Sequence, residues 1–261
     1  MRITFLTQDD PLYILPFFES FFAQDLGDIE VTGIFACRSM GKRKRSTLLR
    51  ELASLYGAAG FVRLVGLQAW HRMAASVRLG AVLGRSHSLQ ELATRYQVRF
   101  QRIGNPNTPA HYEVIASHKP EILVSVACPF ILKHAMLELP LRAAINIHHA
   151  PLPKYKGMMP SFWQMYHGEH SVGITIHTMV DKLDAGSILH QESVPLIQGE
   201  SMHTLIRRSK RDGGKAMVDL LRRFALGETP KAIEPTGEST YFTFPNAREI
   251  RVFRDRGLKA I

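Results

Sequence analysis

Apolar positions near the start of the chain form short, partly β-branched runs, Ile3 to Thr7 and Ile29 to Cys37. A helix-spaced apolar stretch around Leu12 to Ala23 separates them. The pattern resumes at Glu121-Ile122-Leu123-Val124-Ser125-Val126, with a short helix near Leu132 to Leu137 and a further run from Ala143 to Ile147. Near-continuous apolar runs suit strands buried on both faces. Strands that alternate with helices predict an α/β fold, a mostly parallel sheet covered by helices. Val172 to Met179 and Ser187 to Leu196 read as a strand pair, and Ser201 opens a helix predicted to reach about Phe224, with its hydroxyl as the cap.

The segment between Arg38 and Arg95 interrupts this alternation and is too long for an ordinary loop. Leu64, Val65, Leu67, Trp70, Met73, Ala74 and Val77 recur at helical spacing among Arg63, Arg72 and Arg78, which predicts a helical insertion with one apolar face and a basic remainder. Such a face suits the sheet, a second subunit in a homodimer, or an anionic membrane surface met peripherally. Its arginines make a transmembrane span unexpected. The expected organisation is one catalytic unit over residues 1–230, an insertion at about 39–95, and a tail over 231–261.

The strongest chemical signal lies at the end of the Ala143 to Ile147 run. Asn146-Ile147-His148 puts two polar side chains on one face of a strand, because strand side chains alternate with period two. Leu152-Pro153-Lys154-Tyr155-Lys156-Gly157 then stops the strand, leaving both groups at its carboxyl end, where open α/β sheets place their sites. Asp184, in Leu183-Asp184-Ala185-Gly186, arrives one hairpin later and supplies the carboxylate that orients a working imidazole. Alone, His148 suits a packed position and Asn146 a turn. Their conjunction with Asp184 points to acyl transfer. His149 falls on the opposite face, and His177 suits either the site or the core. No helix-spaced or Cys-x-x-Cys pattern accompanies these histidines, so no metal is expected.

Composition narrows the setting. With 261 residues and 45% hydrophobic content the chain can bury a full core. Cys37 and Cys128, the two cysteines, make neither a disulfide framework nor a metal knuckle. The opening residues read as a strand and turn rather than a signal peptide, so a cytoplasmic location is expected. The net charge of +10 is concentrated in Lys42 to Arg45, in Arg207, Arg208, Lys210 and Arg211, and in Arg248, Arg251, Arg254 and Arg256. No acidic residue occurs between Glu51 and Glu91. This balance favours anionic partners without choosing among phosphorylated substrates, nucleic acid and membrane.

The ordered motifs Asn146 to Gly157, Gly173-Ile174-Thr175-Ile176-His177 and Lys182-Leu183-Asp184-Ala185-Gly186 resemble the folate-dependent formyltransferases. That family includes methionyl-tRNA, glycinamide ribonucleotide and sugar N-formyltransferases. The resemblance runs from about Pro120 to Leu226, extends to the first two strands, and fails for the insertion and the tail. It implies a Rossmann-like formyltransferase fold with 10-formyltetrahydrofolate as the formyl donor. Asn146, His148 and Asp184 match the family's catalytic positions. Cys128, Pro129, Phe130, Ile131 and Leu132 match one loop around the pterin ring, and Val180, Asp181, Lys182 and Leu183 match the other. One departure is Ala150, where the family usually carries Ser.

The resemblance also frames the acceptor. Purine-pathway members carry a glycine-rich phosphate cradle after the first strand, whereas this chain has Thr7-Gln8-Asp9-Asp10, whose carboxylates repel phosphate. The tRNA enzymes share a basic insertion but add a C-terminal barrel, for which residues after Phe224 leave no room, so tRNA is disfavoured. A small-molecule amine is expected instead: an amino sugar on a nucleotide or lipid phosphate, with Asp9 and Asp10 either facing its amine or hydroxyls or serving as solvated turn residues. The alternatives are a methionyl-tRNA activity, a hydrolase passing the formyl group to water, and a noncatalytic binding module.

Overall fold

The computed structural model describes residues 1–38 and 45–261. The basic cluster Lys42 to Lys44 lies outside the described residues. In chain order the elements are β1 (Arg2–Gln8), α1 (Leu15–Phe22), β2 (Glu30–Cys37), α2 (Arg45–Ser76), α3 (Leu79–Leu83), α4 (Leu89–Arg95), β3 (Phe100–Ile103), α5 (Pro109–Ala116), β4 (Ile122–Val126), α6 (His134–Leu137) and β5 (Ala143–His148). They continue with β6 (Lys156–Gly157), α7 (Pro160–His167), β7 (Ser171–Thr178), β8 (Ile188–Pro195), α8 (Met202–Ala225), β9 (Tyr241–Phe242) and α9 (Ala247–Asp255).

Seven strands form one sheet in the order β3-β2-β1-β4-β5-β7-β8. Pairing is parallel from β3 through β5 and antiparallel for β5–β7 and β7–β8. The apolar alternation accounts for this arrangement. All five residues of β4 are buried, as a strand covered on both faces requires. On one face Phe5 meets Phe18 and Phe21 of α1 edge-on, each at 5.1 Å, and α8 closes the layer with Met217, Leu220 and Leu221. On the other face Leu6, Phe35 and Leu123 pack against Ile115 of α5 and Met136 of α6. Ser201 caps α8 as its sequence suggests, its Oγ accepting from the Thr204 N–H at 3.2 Å.

The insertion is helical, but its apolar residues divide between two faces. Leu64 and Ala74 are buried, whereas Val62, Val65, Met73 and Val77 are 70%, 50%, 53% and 66% exposed. The single apolar face read from the sequence is therefore corrected: α2 packs by its inner edge and leaves a second stripe to solvent. It is also kinked, at Gly57, where φ is 69°. Leu49–Ser76 reaches a mean hydropathy of 1.2 in a window only 17% buried, long and apolar enough to cross a membrane by length and composition alone. The arginines thus do not exclude a span on hydropathy. The last helix of the segment, α4, is capped by Ser88 and buries Leu89, Leu92 and Ala93 before the chain enters β3.

Residues 231–261 fold back onto the same core. β9 pairs with β6, Ile233 bridges Ile188, and the Lys259 and Ala260 carbonyls accept from the Met202 and His203 N–H groups at the start of α8. Asn246 and Glu249 form a reciprocal capping box for α9, whose Phe253 is fully buried and stacks on Phe162 at 4.6 Å. Phe253→Ala should cost about 3–5 kcal/mol, the usual loss for a buried aromatic. The check is a thermal melt combined with limited proteolysis, which should release the C-terminal segment first; an unchanged melt would mean that α9 is not anchored here.

Candidate active site

The strand alternation at the end of β5 sets the site. Asn146 and His148 share a face, and Asn146 stands directly opposite His177 in the antiparallel register with β7. Asn146 Nδ2 donates to His177 Nε2 at 3.1 Å, while His177 Nδ1 donates to the Thr178 carbonyl at 2.8 Å. A carbonyl only accepts, so Nδ1 carries the hydrogen and Nε2 is free to receive the amide N–H. Burial pushes the His177 pKa down, which favours this neutral form.

The same reasoning fixes His148. Its Nε2 donates to the Tyr155 carbonyl at 2.8 Å, leaving Nδ1 facing Asp184 Oδ2 at 3.8 Å. Asp184 Oδ1 lies 3.8 Å from His177 Nε2, so one carboxylate stands between two imidazoles. Asp184 is 7% exposed, and its Oδ2 accepts from the Gly157 N–H at 3.0 Å. A buried carboxylate needs such donors. Gly157 is required where it sits: φ is +93°, and a Cβ would fall 2.3 Å from the Phe242 carbonyl. At Gly186, close behind Asp184, a Cβ would overlap the Thr178 carbonyl at 1.7 Å. Ala127, Tyr155 and Asp184 all adopt positive φ, at 52°, 59° and 49°, so backbone of a sparsely populated kind borders the site.

Beside this constellation a narrow cleft of about 70 Å³ is lined by Asn146, His177 and Asp184 with Cys128, Phe130, Ile131, Leu132, Val180, Lys182 and Leu183. Of the residues expected around a pterin ring, only Pro129 and Asp181 do not line it. Ile131, Val180 and Leu183 are 62%, 46% and 43% exposed, an apolar rim that a flat ring would cover. The residues fit such a group in chemistry. The cleft is smaller than the ~300 Å³ or more typical of ligand pockets, so seating one requires the loops to part. Cys128 Sγ lies 3.8 Å from Cys37 Sγ as a loop-packing thiol.

His177 and the Gly157 N–H belong to the site although sequence reasoning had not assigned them. The pairing that brings them there is non-local, and only the Gly-Ile-Thr-Ile-His run hinted at it. His149 lies on the opposite face as expected, against Gly213 of α8, with both ring nitrogens buried and unpartnered. Burial holds its pKa well below the ordinary value. Asp9 and Asp10 are already committed. Arg102 Nε donates to Asp9 at 2.6 Å, and Asp10 accepts from the Leu12 and Tyr13 N–H groups at 2.8 and 3.3 Å. Asp9 lines a cavity described below, while Asp10 serves the turn into α1. Among the described residues no group of three or more His, Cys, Asp or Glu is arranged to hold a metal ion.

A profile of the family described as "Formyl transferase" matches residues 85–221. Sequence relatives include methionyl-tRNA formyltransferases from Syntrophus aciditrophicus (strain SB), 31% identical over 57% of this chain and 48% of that protein, and from Geobacillus sp. (strain WCH70), 32% identical over 50% and 41%. The chain spans about half the length of the curated relatives it matches. Similar solved structures include a sugar N-formyltransferase from Shewanella sp FDAARGOS_354, with a TM-score of 0.55 and 17% identity over 93% of this chain and 76% of that one. Another is glycinamide ribonucleotide transformylase 1 from Symbiobacterium toebii, with a TM-score of 0.58 and 17% identity over 90% and 94%. At that identity the structural likeness shows the fold alone.

The buried imidazoles set a pH dependence. His149 and His177 have depressed native pKa values, whereas the unfolded chain protonates near the ordinary value of about 6.5. Below that pH the unfolded state binds protons that the native state excludes, so stability should fall as pH drops from about 6.5 toward the native values. Urea midpoints at about pH 7.5 and pH 5.5 check this sign; equal midpoints would contradict it.

Proposed function

The chain belongs to the formyl transferase family, and from that premise we propose that it transfers a formyl group from 10-formyltetrahydrofolate to a primary amine of a small acceptor, an amino sugar on a nucleotide or lipid phosphate. The observation that carries this reading is the convergence of Asn146, His148 and Asp184 at the carboxyl end of β5, beside an apolar-rimmed cleft. The donor supplies an activated formyl carbon. The loops at 128–132 and 180–183 would hold its ring against Ile131, Val180 and Leu183.

Transfer needs two services from the chain: stabilisation of negative charge on the formyl oxygen, and a destination for the amine proton. Asn146 Nδ2 has two hydrogens and gives one to His177, so the second is available to the oxygen. His148 has only Nδ1 left for chemistry, because Nε2 is occupied by the Tyr155 carbonyl. Protonated there, it would add a charge-assisted donor, with Asp184 stabilising the imidazolium. Asp184 would receive the amine proton, directly or through water, and return it to the folate nitrogen as the bond from that nitrogen to the formyl carbon breaks and tetrahydrofolate leaves. His177, neutral and bonded to Asn146, would fix the orientation of the amide.

A second reading, formylation of methionyl-tRNA, is favoured by the names of the sequence relatives. The acceptor panel that separates the two contains nucleotide amino sugars, methionyl-tRNA and water alone, with tetrahydrofolate release and product mass followed together. Formate release with water alone would favour a hydrolase. Asn146→Ala should lower turnover by about 100- to 1,000-fold, the usual cost of removing an oxyanion donor, with an unchanged melt. Wild-type turnover in that variant would remove Asn146 from the chemistry.

A further inference from the structure

Among the described residues a second cavity shares no lining residue with the cleft beside Asn146. It has a volume of about 930 Å³ and lies between the second half of α2, α3, α4 and the ends of β1 and β3. Arg72, Arg78, Arg85, Arg95 and Arg102 line it, together with His71 and His87. Two carboxylates oppose them: Asp9 is ion-paired, while Glu91 has one oxygen, Oε1, buried without a hydrogen-bond partner among the described residues. Asp9 pairs with Arg102, and Glu91 Oε2 accepts from the His87 N–H at 2.7 Å. Arg95 donates to the Gly84 carbonyl at 2.6 Å. Arg72, Arg78 and Arg85 form no ion pair with any described residue.

His87 is the decisive feature. It is 2% exposed and lines the cavity, and neither ring nitrogen is hydrogen-bonded among the described residues. Buried polar atoms are normally satisfied, so two orphaned nitrogens in a cavity wall call for a ligand with hydrogen-bonding atoms. Five guanidinium groups outnumber the two carboxylates and favour an anion, and a planar fork of donors matches phosphate oxygens. The volume exceeds what a single phosphate fills and falls in the range of small-molecule sites.

Position gives the site its meaning. Asp9 follows β1 and Arg102 lies in β3, so the cavity opens at the carboxyl end of the sheet, as Asn146 and His148 do. β1 and β5 are separated by β4, which places their ends roughly 10 Å apart at the usual strand spacing. We propose that the insertion builds a phosphate-binding site, in which Arg72, Arg78, Arg85 and His87 hold the phosphate or diphosphate of the acceptor while its amine reaches Asn146 and Asp184. The proposal rests on the amine-acceptor reading above. The catalytic machinery is then shared with the family, while the insertion selects the substrate.

The same phosphate chemistry can be borne by a soluble nucleotide or by a lipid, and exposed Val62, Val65 and Met73 lie on α2, which also carries Arg72. Binding is therefore measured in two arms. One uses UDP and inorganic pyrophosphate by calorimetry. The other uses co-sedimentation with phosphatidylcholine vesicles doped with a polyprenyl diphosphate, against undoped vesicles. The variants are R72Q/R85Q, R72K/R85K as a charge-retaining control, and Arg248→Gln on the distant α9. Binding in either arm should weaken tenfold or more in R72Q/R85Q, recover partly in R72K/R85K and stay unchanged in Arg248→Gln. The arm that responds names the source of the phosphate. Absence of binding in both arms, equal binding by R72Q/R85Q, or an equal loss in Arg248→Gln overturns the site. Asn146→Ala should bind the probes as the wild type does, so this test reads the anion site whether or not formyl transfer is found.

Discussion

The carboxylate of Asp184 is the constraint around which the carboxyl edge of the sheet is organised. A charge 7% exposed has little water to solvate it, so the protein must supply donors or lose the ionised form. It supplies one from Gly157 at 3.0 Å and flanks the group with two imidazoles at 3.8 Å. Each neighbour comes from a different element: His148 from β5, His177 from β7, Gly157 from β6. The carboxylate also sits on a residue with φ of 49°, a conformation that a short polar side chain tolerates better than most. Position, charge and backbone strain therefore meet at one residue.

From this centre the polarity of the sheet becomes intelligible. Parallel strands β1, β4 and β5 deliver their ends to one edge, and the antiparallel β7 returns beside β5 to bring His177 opposite Asn146. The family match over residues 85–221 covers this half of the molecule, while most of the insertion lies before it. The arginine-lined cavity straddles the start of that match, with Arg72 and Arg78 before it and Arg85, Arg95 and Arg102 within it. Fold alone does not choose an acceptor, because specificity resides in what surrounds the reacting atoms.

Much of this was legible in the residues. The runs at Ile3, Ile29, Ile122 and Ala143 became β1, β2, β4 and β5, because buried strands are written as unbroken apolar segments. The i, i+2 spacing of Asn146 and His148 gave their common face, since period two is intrinsic to a strand. What escaped notice depended on distant partners. β3 is four residues at the sheet edge with polar Gln101 and Arg102 in its middle, and its pattern is too short to stand out. α7 follows Met159, whose positive φ no local rule announces, and carries Pro160 at its start. α9 looked like tail because Phe253 finds its partner, Phe162, about ninety residues upstream. The role of His177 was hidden for the same reason: register is a property of two strands, and one strand's sequence does not contain it.

The short pairing of β6 with β9 carries a consequence for how the molecule answers to change. Gly157 gives its N–H to the buried carboxylate while its flanks, Lys156 and Met158, bond to Thr240 and Phe242. Tyr155, which receives the His148 hydrogen, stacks on Phe242 at 5.6 Å. The Tyr241–Phe242 strand therefore backs the segment from Tyr155 to Gly157, whose backbone bonds to His148 and Asp184. Loosening that strand would leave the sheet intact and the melting curve little moved, while the imidazole and carboxylate lost their alignment. A change in the Tyr241–Phe242 strand would thus reach the candidate site about ninety residues upstream, whereas loss of Phe253 in α9 would act on stability.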